Sequence, residues 1–264
     1  MQNWITDKDL ERSYSSHIIP DILKVIAKIK EKNQNVDRIL DLGCGYGGIL
    51  KLIGHHLGAN ELNGIDIDTE AVNFAKQRGI NAVTLDLEYE KLPYEDSSFD
   101  FVFSLGVFDY FKFWDNVILE IRRVLKVGGY VMISLPNLAS WHNRIALLLG
   151  YQPRDIEVSR CYLVGVYPFY KKRGDSVVGH VHTITAFGFK ELMEKYGFET
   201  LILTGANTTT AKVPKIFKII NTLLKGILPV NLSKRFIYLG RKTAVEPEAV
   251  QSLSWWQNFY KDKL

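Results

Sequence analysis

The segment D-L-G-C-G-Y-G-G, Asp41 to Gly48, joins an acid to glycines at positions 43, 45, 47 and 48. Glycines at that density let a backbone turn tightly and let a ligand approach main-chain atoms that a Cβ would shield. The spacing of Gly43, Gly45 and Gly48 matches G-x-G-x-x-G, so the loop alone fits a dinucleotide or another nucleoside cofactor. Asp41, two residues before Gly43, would repel a pyrophosphate but could hold a cationic amino-acid group. Asp66 in N-G-I-D-I-D suits the two hydroxyls of a ribose, and Asp86 in V-T-L-D-L-E suits an adenine amino group. Any one of these acids reads equally well as a helix or turn cap; in order around one glycine loop they form a constellation.

Acid–base chemistry has fewer candidates. His180 and His182 in G-H-V-H-T-I-T would lie on one side of an extended segment, and His180 is the candidate general base. No Cys, Asp or Glu close to them in sequence completes a ligand set, so no metal is expected. His142, beside Trp141, reads as a helix-face histidine. Tyr151, Tyr162, Tyr167, Phe169 and Tyr170 suit a lid, an acceptor pocket or a satellite core. Arg144, Arg154, Arg160 and Lys171 to Arg173 read as a solvated basic face that could also meet an anionic acceptor.

Stretches rich in β-branched and aromatic residues alternate with helical periodicity, as in βαβ units around a mostly parallel sheet. A helix is predicted over His17–Lys32, with Ile18, Ile22, Val25, Ile26 and Ile29 on one stripe. Strands are predicted at Arg38–Leu42, Glu61–Ile67, Ala82–Leu85, Phe99–Ser104 and Tyr130–Leu135. Helices fill the gaps at Gly48–Leu57, Thr69–Arg78 and Asp115–Lys126, the second capped by Asp68 or Thr69 and the third closed by Gly128 and Gly129. Pro136–Thr183 breaks the alternation and reads as an inserted lid, after which come a helix at Ala186–Tyr196 and strands at Phe198–Thr204 and Arg235–Gly240. These elements suit one domain over 1–264, with an N-terminal helical segment over 1–35, the insertion over 136–183 and a basic connection over 206–234.

Composition narrows the classes. Of 264 residues, 47% are apolar and 23% charged, which excludes disordered and collagenous chains. Two cysteines, one in the glycine loop and one far along the chain, make a structural disulfide a poor expectation and fit a reducing, cytoplasmic setting. No window reaches the roughly 18 apolar residues of a membrane span. Ala206–Val245 holds eight basic residues and no acidic ones; against a net charge of +4 the remainder carries −4, a distribution unlike a general nucleic-acid binder's. Within it, Pro214–Leu228 is amphipathic, and its apolar face suits an anionic membrane, a second subunit of a homodimer or its own domain.

The run D-L-G-C-G-Y-G-G, G-I-D-I-D, L-D-L-E-Y-E-K-L-P-Y-E-D-S-S-F-D, F-V-F-S-L-G-V-F-D-Y-F and E-I-R-R-V-L-K-V-G-G-Y, spanning roughly Val36–Leu135, resembles class I S-adenosylmethionine-dependent methyltransferases of the ubiquinone and small-molecule type. The resemblance implies a doubly wound, seven-stranded, Rossmann-like α/β sheet whose last strand is antiparallel. It implies S-adenosyl-L-methionine as cofactor and S-adenosyl-L-homocysteine as product. By motif, Asp41, Gly43, Cys44 and Gly45 would flank the methionine portion, Asp66 and Ile67 the ribose side, Asp86 and Leu87 the adenine, and Ser104 and Leu105 the remaining side. Many members carry a histidine where this chain has Tyr110, which argues against a catalytic role for Tyr110. The implied acceptor is a small molecule, or one linked to a glycan or lipid, with oxygen favoured by the candidate histidine base. The alternatives are a cofactor-binding scaffold without turnover and an NAD oxidoreductase, the latter opposed by Asp41.

Overall fold

The structure, a computed structural model, describes residues 18–31, 35–168, 176–206, 219 and 229–247. In chain order the elements are α1 (Ile19–Lys30), β1 (Arg38–Leu42), α2 (Gly48–Leu57), β2 (Glu61–Asp66), α3 (Thr69–Gln77), β3 (Asn81–Thr84) and β4 (Phe99–Leu105). They continue with α4 (Asp115–Val124), β5 (Leu125–Pro136), α5 (Trp141–Leu148), α6 (Ala186–Lys195), β6 (Phe198–Ala206) and β7 (Arg235–Lys242). The strands form one sheet ordered β3-β2-β1-β4-β5-β7-β6, with β7 antiparallel to both neighbours. That is the doubly wound sheet the motifs imply.

Period-2 alternation builds a core on each face of the sheet. Leu40, Val102, Ile133, Phe236 and Tyr238 face one core with Ile118 and Ile121 of α4 and Phe189 and Met193 of α6. Ile39, Phe101, Phe103, Ile237 and Leu239 face the other with the predicted stripe of α1 and with Leu50 and Ile53 of α2. Asp68 is the cap of α3, accepting from the N–H groups of Glu70 and Ala71. Arg122, 6% exposed, donates to the carbonyls of Gly197, Thr243 and Val245, fastening α4 to the chain beyond β7.

Two expectations need correction. The helix predicted to run to Lys126 stops at Val124, because Leu125 turns extended, is fully buried and pairs with Phe99. Gly128, at φ +82, therefore shapes a bulge leading into the main run of β5 and does not cap a helix. The insertion, in which no strand period is legible, contains α5, capped by the Ser140 hydroxyl, and this helix carries His142. Trp4, Tyr14, Ser15, Phe169, Tyr170, Lys171–Arg173, the Pro214–Leu228 helix except Ile219 and the aromatic tail lie outside the described residues.

Candidate active site

Strand order reverses between β1 and β4, the place where an open α/β sheet leaves a crevice at its carboxyl edge. Asp41 lies there, 4% exposed. Burial first, and then the like charge of Asp66, hold its carboxyl well above the ordinary carboxylate range. Among the described residues no donor pairs with it. A cation beside Asp41 would relieve both penalties.

The glycine loop is held by its neighbours. The N–H groups of Gly43 and Cys44 both donate to Ile65 O, at 2.7 and 2.9 Å. The Gly45 N–H donates to Asp66 Oδ2 at 2.7 Å, while Asp66 Oδ1 accepts from Asp68 N at 3.0 Å. Each Asp66 oxygen keeps a lone pair for a ligand hydroxyl. Gly43 has φ +89, and a Cβ there would fall 2.2 Å from Val107 Cγ2. At Gly45 the corresponding space is open among the described residues, none of which places a heavy atom within 4 Å. Cys44 is 7% exposed, and burial, then Asp41 and Asp66, push its thiol up, so it stays protonated and serves as packing.

The other cofactor candidates fall around this loop in distinct ways. Ile67, next to Asp66, is 68% exposed, an apolar surface left open. Asp86 closes its own turn, its Oδ1 accepting from Glu88 N at 3.0 Å and its N–H donating to Glu90 Oε1 at 2.9 Å. Leu87 and Leu105 are buried. The Ser104 hydroxyl is committed inside the sheet, donating to Leu42 O at 2.8 Å.

Beyond β4 the chain passes Gly106 and Val107 into a single 3-10 turn, Phe108–Tyr110. Trp114 Nε1 donates to Phe108 O at 2.8 Å, and the fully buried Phe108 ring packs edge-on against Trp114 and Phe189. This turn aims Asp109, 1% exposed, at the segment carrying His180. His180 is 5% exposed, and its Nε2 lies 3.0 Å from Asp109 Oδ2, at hydrogen-bond distance but without the alignment of a formed bond. Nδ1 is equally buried and has no partner among the described residues. Burial raises the Asp109 carboxyl and Asp155 adds to it, while His180 and Arg235 oppose the rise.

Asp109 stands 71 residues before His180 along the chain, so spacing alone does not join the two. The one hint is a carboxylate in an otherwise apolar aromatic run, V-F-D-Y-F. His182, by contrast, is exposed. The predicted alternation fails because the N–H groups of Val181 and His182 both converge on Asp109 O, at 2.7 and 3.3 Å, which curls the segment.

His142 does sit on α5, stacked on Trp141 with ring centroids 3.7 Å apart. Burial and Lys234 lower its pKa to about 3. Tyr151 and Tyr167 pair at 4.7 Å. Among the described residues no group of three His, Cys, Asp or Glu could hold a metal ion, and no helix is long and apolar enough to cross a membrane.

Residues 40–133 match the methyltransferase domain family. The chain carries a class I methyltransferase domain. It is 24% identical over 168 residues to a fatty-acid O-methyltransferase of Mycolicibacterium smegmatis, covering 61% of this chain and 59% of that one. It is 26% identical over 168 residues to a phthiotriol/phenolphthiotriol dimycocerosates methyltransferase of Mycobacterium tuberculosis, covering 61% and 62%. The chain thus spans about three-fifths of the length of these relatives. Among solved structures, an S-adenosylmethionine-dependent methyltransferase from Mesorhizobium loti superposes with a TM-score of 0.54 at 18% identity, over 82% of this chain and 96% of that one. A geranyl diphosphate C-methyltransferase from Streptomyces coelicolor, in complex with Mg2+, geranyl diphosphate and S-adenosyl-L-homocysteine, gives 0.51 at 14%, over 78% and 71%. Both likenesses are of fold. The class I cofactor fits the described residues: among them Asp41 lacks a cation, Gly45 faces open space, and Asp66 keeps acceptor capacity beside it.

Proposed function

We propose that this protein transfers a methyl group from S-adenosyl-L-methionine to an oxygen of a lipid acceptor, with His180 as general base and Asp109 as the residue that orients it. The buried His180–Asp109 pair, beside the glycine loop's own packing partner Val107, carries this reading. Asp41, Gly43, Cys44 and Gly45 would hold the methionine portion, Asp66 and Ile67 the ribose side, Asp86 and Leu87 the adenine side, and Leu105 with the backbone of Ser104 the flank toward the acceptor. When bound, the cofactor supplies an electrophilic methyl group. Alignment supplies most of the rate, and a hydroxyl nucleophile gains about 10²- to 10⁴-fold from a positioned base. A proton on Nε2 directed at Asp109 leaves Nδ1 as the basic nitrogen, the one that takes the hydroxyl proton as oxygen captures the methyl.

Two further observations support a lipid. The insertion exposes Leu147, Leu148 and Leu149 at 59, 83 and 59%, with Val158 at 73% and Tyr162 at 72%, an apolar surface suited to a long chain. The fatty-acid O-methyltransferase and the phthiotriol/phenolphthiotriol dimycocerosates methyltransferase are lipid methyltransferases by name. The test is transfer of label from methyl-tritiated S-adenosylmethionine to hexadecanol, 3-hydroxypalmitate and palmitate. Labelled ether on a hydroxyl compound, lost in His180→Gln, supports the reading; label bound to carbon contradicts it.

A further inference from the structure

We infer that Glu157, in the insertion, is the positioning residue that sets His180 against Asp109. This inference rests on the proposed role of His180 as base. The Glu157 side chain is 2% exposed, yet its carboxylate faces a row of backbone N–H groups, not another acid–base group. It accepts from Val178 N through both oxygens at 3.0 Å, from Gly179 N at 2.6 Å and from His180 N at 3.2 Å. Arg154 completes the clamp, its Nη1 2.6 Å from Glu157 Oε1 and its Nη2 donating to Ser176 O at 2.7 Å.

On the far side of the same segment, Asp109 O takes the N–H groups of Val181 and His182. Five successive amides, Val178 to His182, are therefore divided between two acceptors: the carboxylate of Glu157 and the carbonyl of Asp109. The backbone of His180 is fixed from one side by the insertion, and its ring meets a carboxylate presented by the turn after β4. Because the segment is neither helix nor strand, no regular ladder holds it. An insertion that supplies the clamp couples its own folding to the placement of the base, and charge-assisted bonds of this kind are the strong ones.

Burial opposes ionisation of Glu157, but the N–H groups of Val178 and Gly179, with Arg154, prevail and hold it below the usual range, so the clamp is charged at neutral pH. Gln at 157 would keep the shape and present one acceptor oxygen and an N–H2 group toward N–H donors.

The test needs no acceptor. Full-length protein saturated with S-adenosyl-L-homocysteine is examined by ring-nitrogen NMR of His180 and by amide hydrogen exchange over 178–182, in wild type, Glu157→Gln, Glu157→Asp and Asp109→Asn. The expected result is one His180 tautomer in wild type and a tautomer mixture in Glu157→Gln. Exchange over 178–180 should be at least tenfold faster in that variant, affinity for S-adenosyl-L-homocysteine should stay within twofold, and Glu157→Asp should fall between. A merely structural glutamate would lower the melting temperature and leave the tautomer unchanged; that outcome, with Asp109→Asn altering the tautomer, overturns the positioning role alone. If Asp109→Asn also leaves it unchanged, the His180–Asp109 pairing fails, and the inference falls with it. Should Glu157→Gln not fold, Glu157→Asp carries the same comparison.

Discussion

A Cβ on Gly43 would lie 2.2 Å from Val107 Cγ2. The glycine loop is thus packed without a gap against the segment that, two residues later, presents Asp109. The glycine loop and the turn that carries Asp109 meet in this contact, and the left-handed φ of +89 at Gly43 makes an L side chain strained there in any case. Gly43→Ala is expected to cost about 2 to 4 kcal/mol in stability, from clash and backbone strain together, and to abolish binding of S-adenosyl-L-homocysteine. Val107→Ala removes Cγ2 and should restore part of both in the double variant. Denaturant titration and calorimetry on the four proteins of the cycle check this; simple additivity would show that the contact is not the cause.

Asp41 is a buried carboxyl beside a like charge, so its pKa is raised and the ionised form is disfavoured in the folded protein. Its contribution to stability is therefore greatest when protonated and is lost as pH rises through the folded-state value. Asp41→Asn should raise the melting temperature of the ligand-free protein at pH 7.5 while weakening S-adenosyl-L-methionine at least tenfold, about 1.4 kcal/mol. Thermal scans with and without ligand measure both; a variant that is less stable without ligand, or that binds unchanged, refutes the assigned role.

His142 is held neutral, its pKa lowered to about 3 by burial and Lys234. An unfolded histidine takes up a proton near pH 6.5, so stability falls as pH drops from 6.5 toward 3. Between pH 7 and pH 4 the loss attributable to this residue is at most about 3 kcal/mol. His142→Phe, which can keep the stack on Trp141, should flatten that part of the stability–pH curve. Denaturant midpoints at several pH values test it; an unchanged slope would place the acid sensitivity elsewhere.

What was legible from sequence was local. Asp41, the four glycines, Asp66 and Asp86 sit at strand ends and turns whose periodicity and caps can be read within a few residues, and the strands appear within a residue or two of their predicted ends, apart from the lengthened β5. What was hidden depends on distant partners. Asp109 has meaning only through His180, Glu157 only through the amides it holds, and Arg122 only through carbonyls just before β6 and beyond β7. The helix ending at Val124 was misread because Gly128 and Gly129 resemble a cap, whereas the demand of Phe99 for a buried partner makes Leu125 extended.

The central claim, that His180 oriented by Asp109 is the base for oxygen methylation, is tested most directly by one comparison. Initial rates of tritium transfer from S-adenosyl-L-methionine to the best acceptor among long-chain alcohols and hydroxy fatty acids are measured for wild type, His180→Gln and Asp109→Asn. Affinity for S-adenosyl-L-homocysteine is measured on the same samples. The account predicts affinities within about twofold and rates at least 10²-fold lower in both variants, in the range expected for a lost base. Undiminished rates in either variant, with the cofactor bound as in wild type, would contradict it.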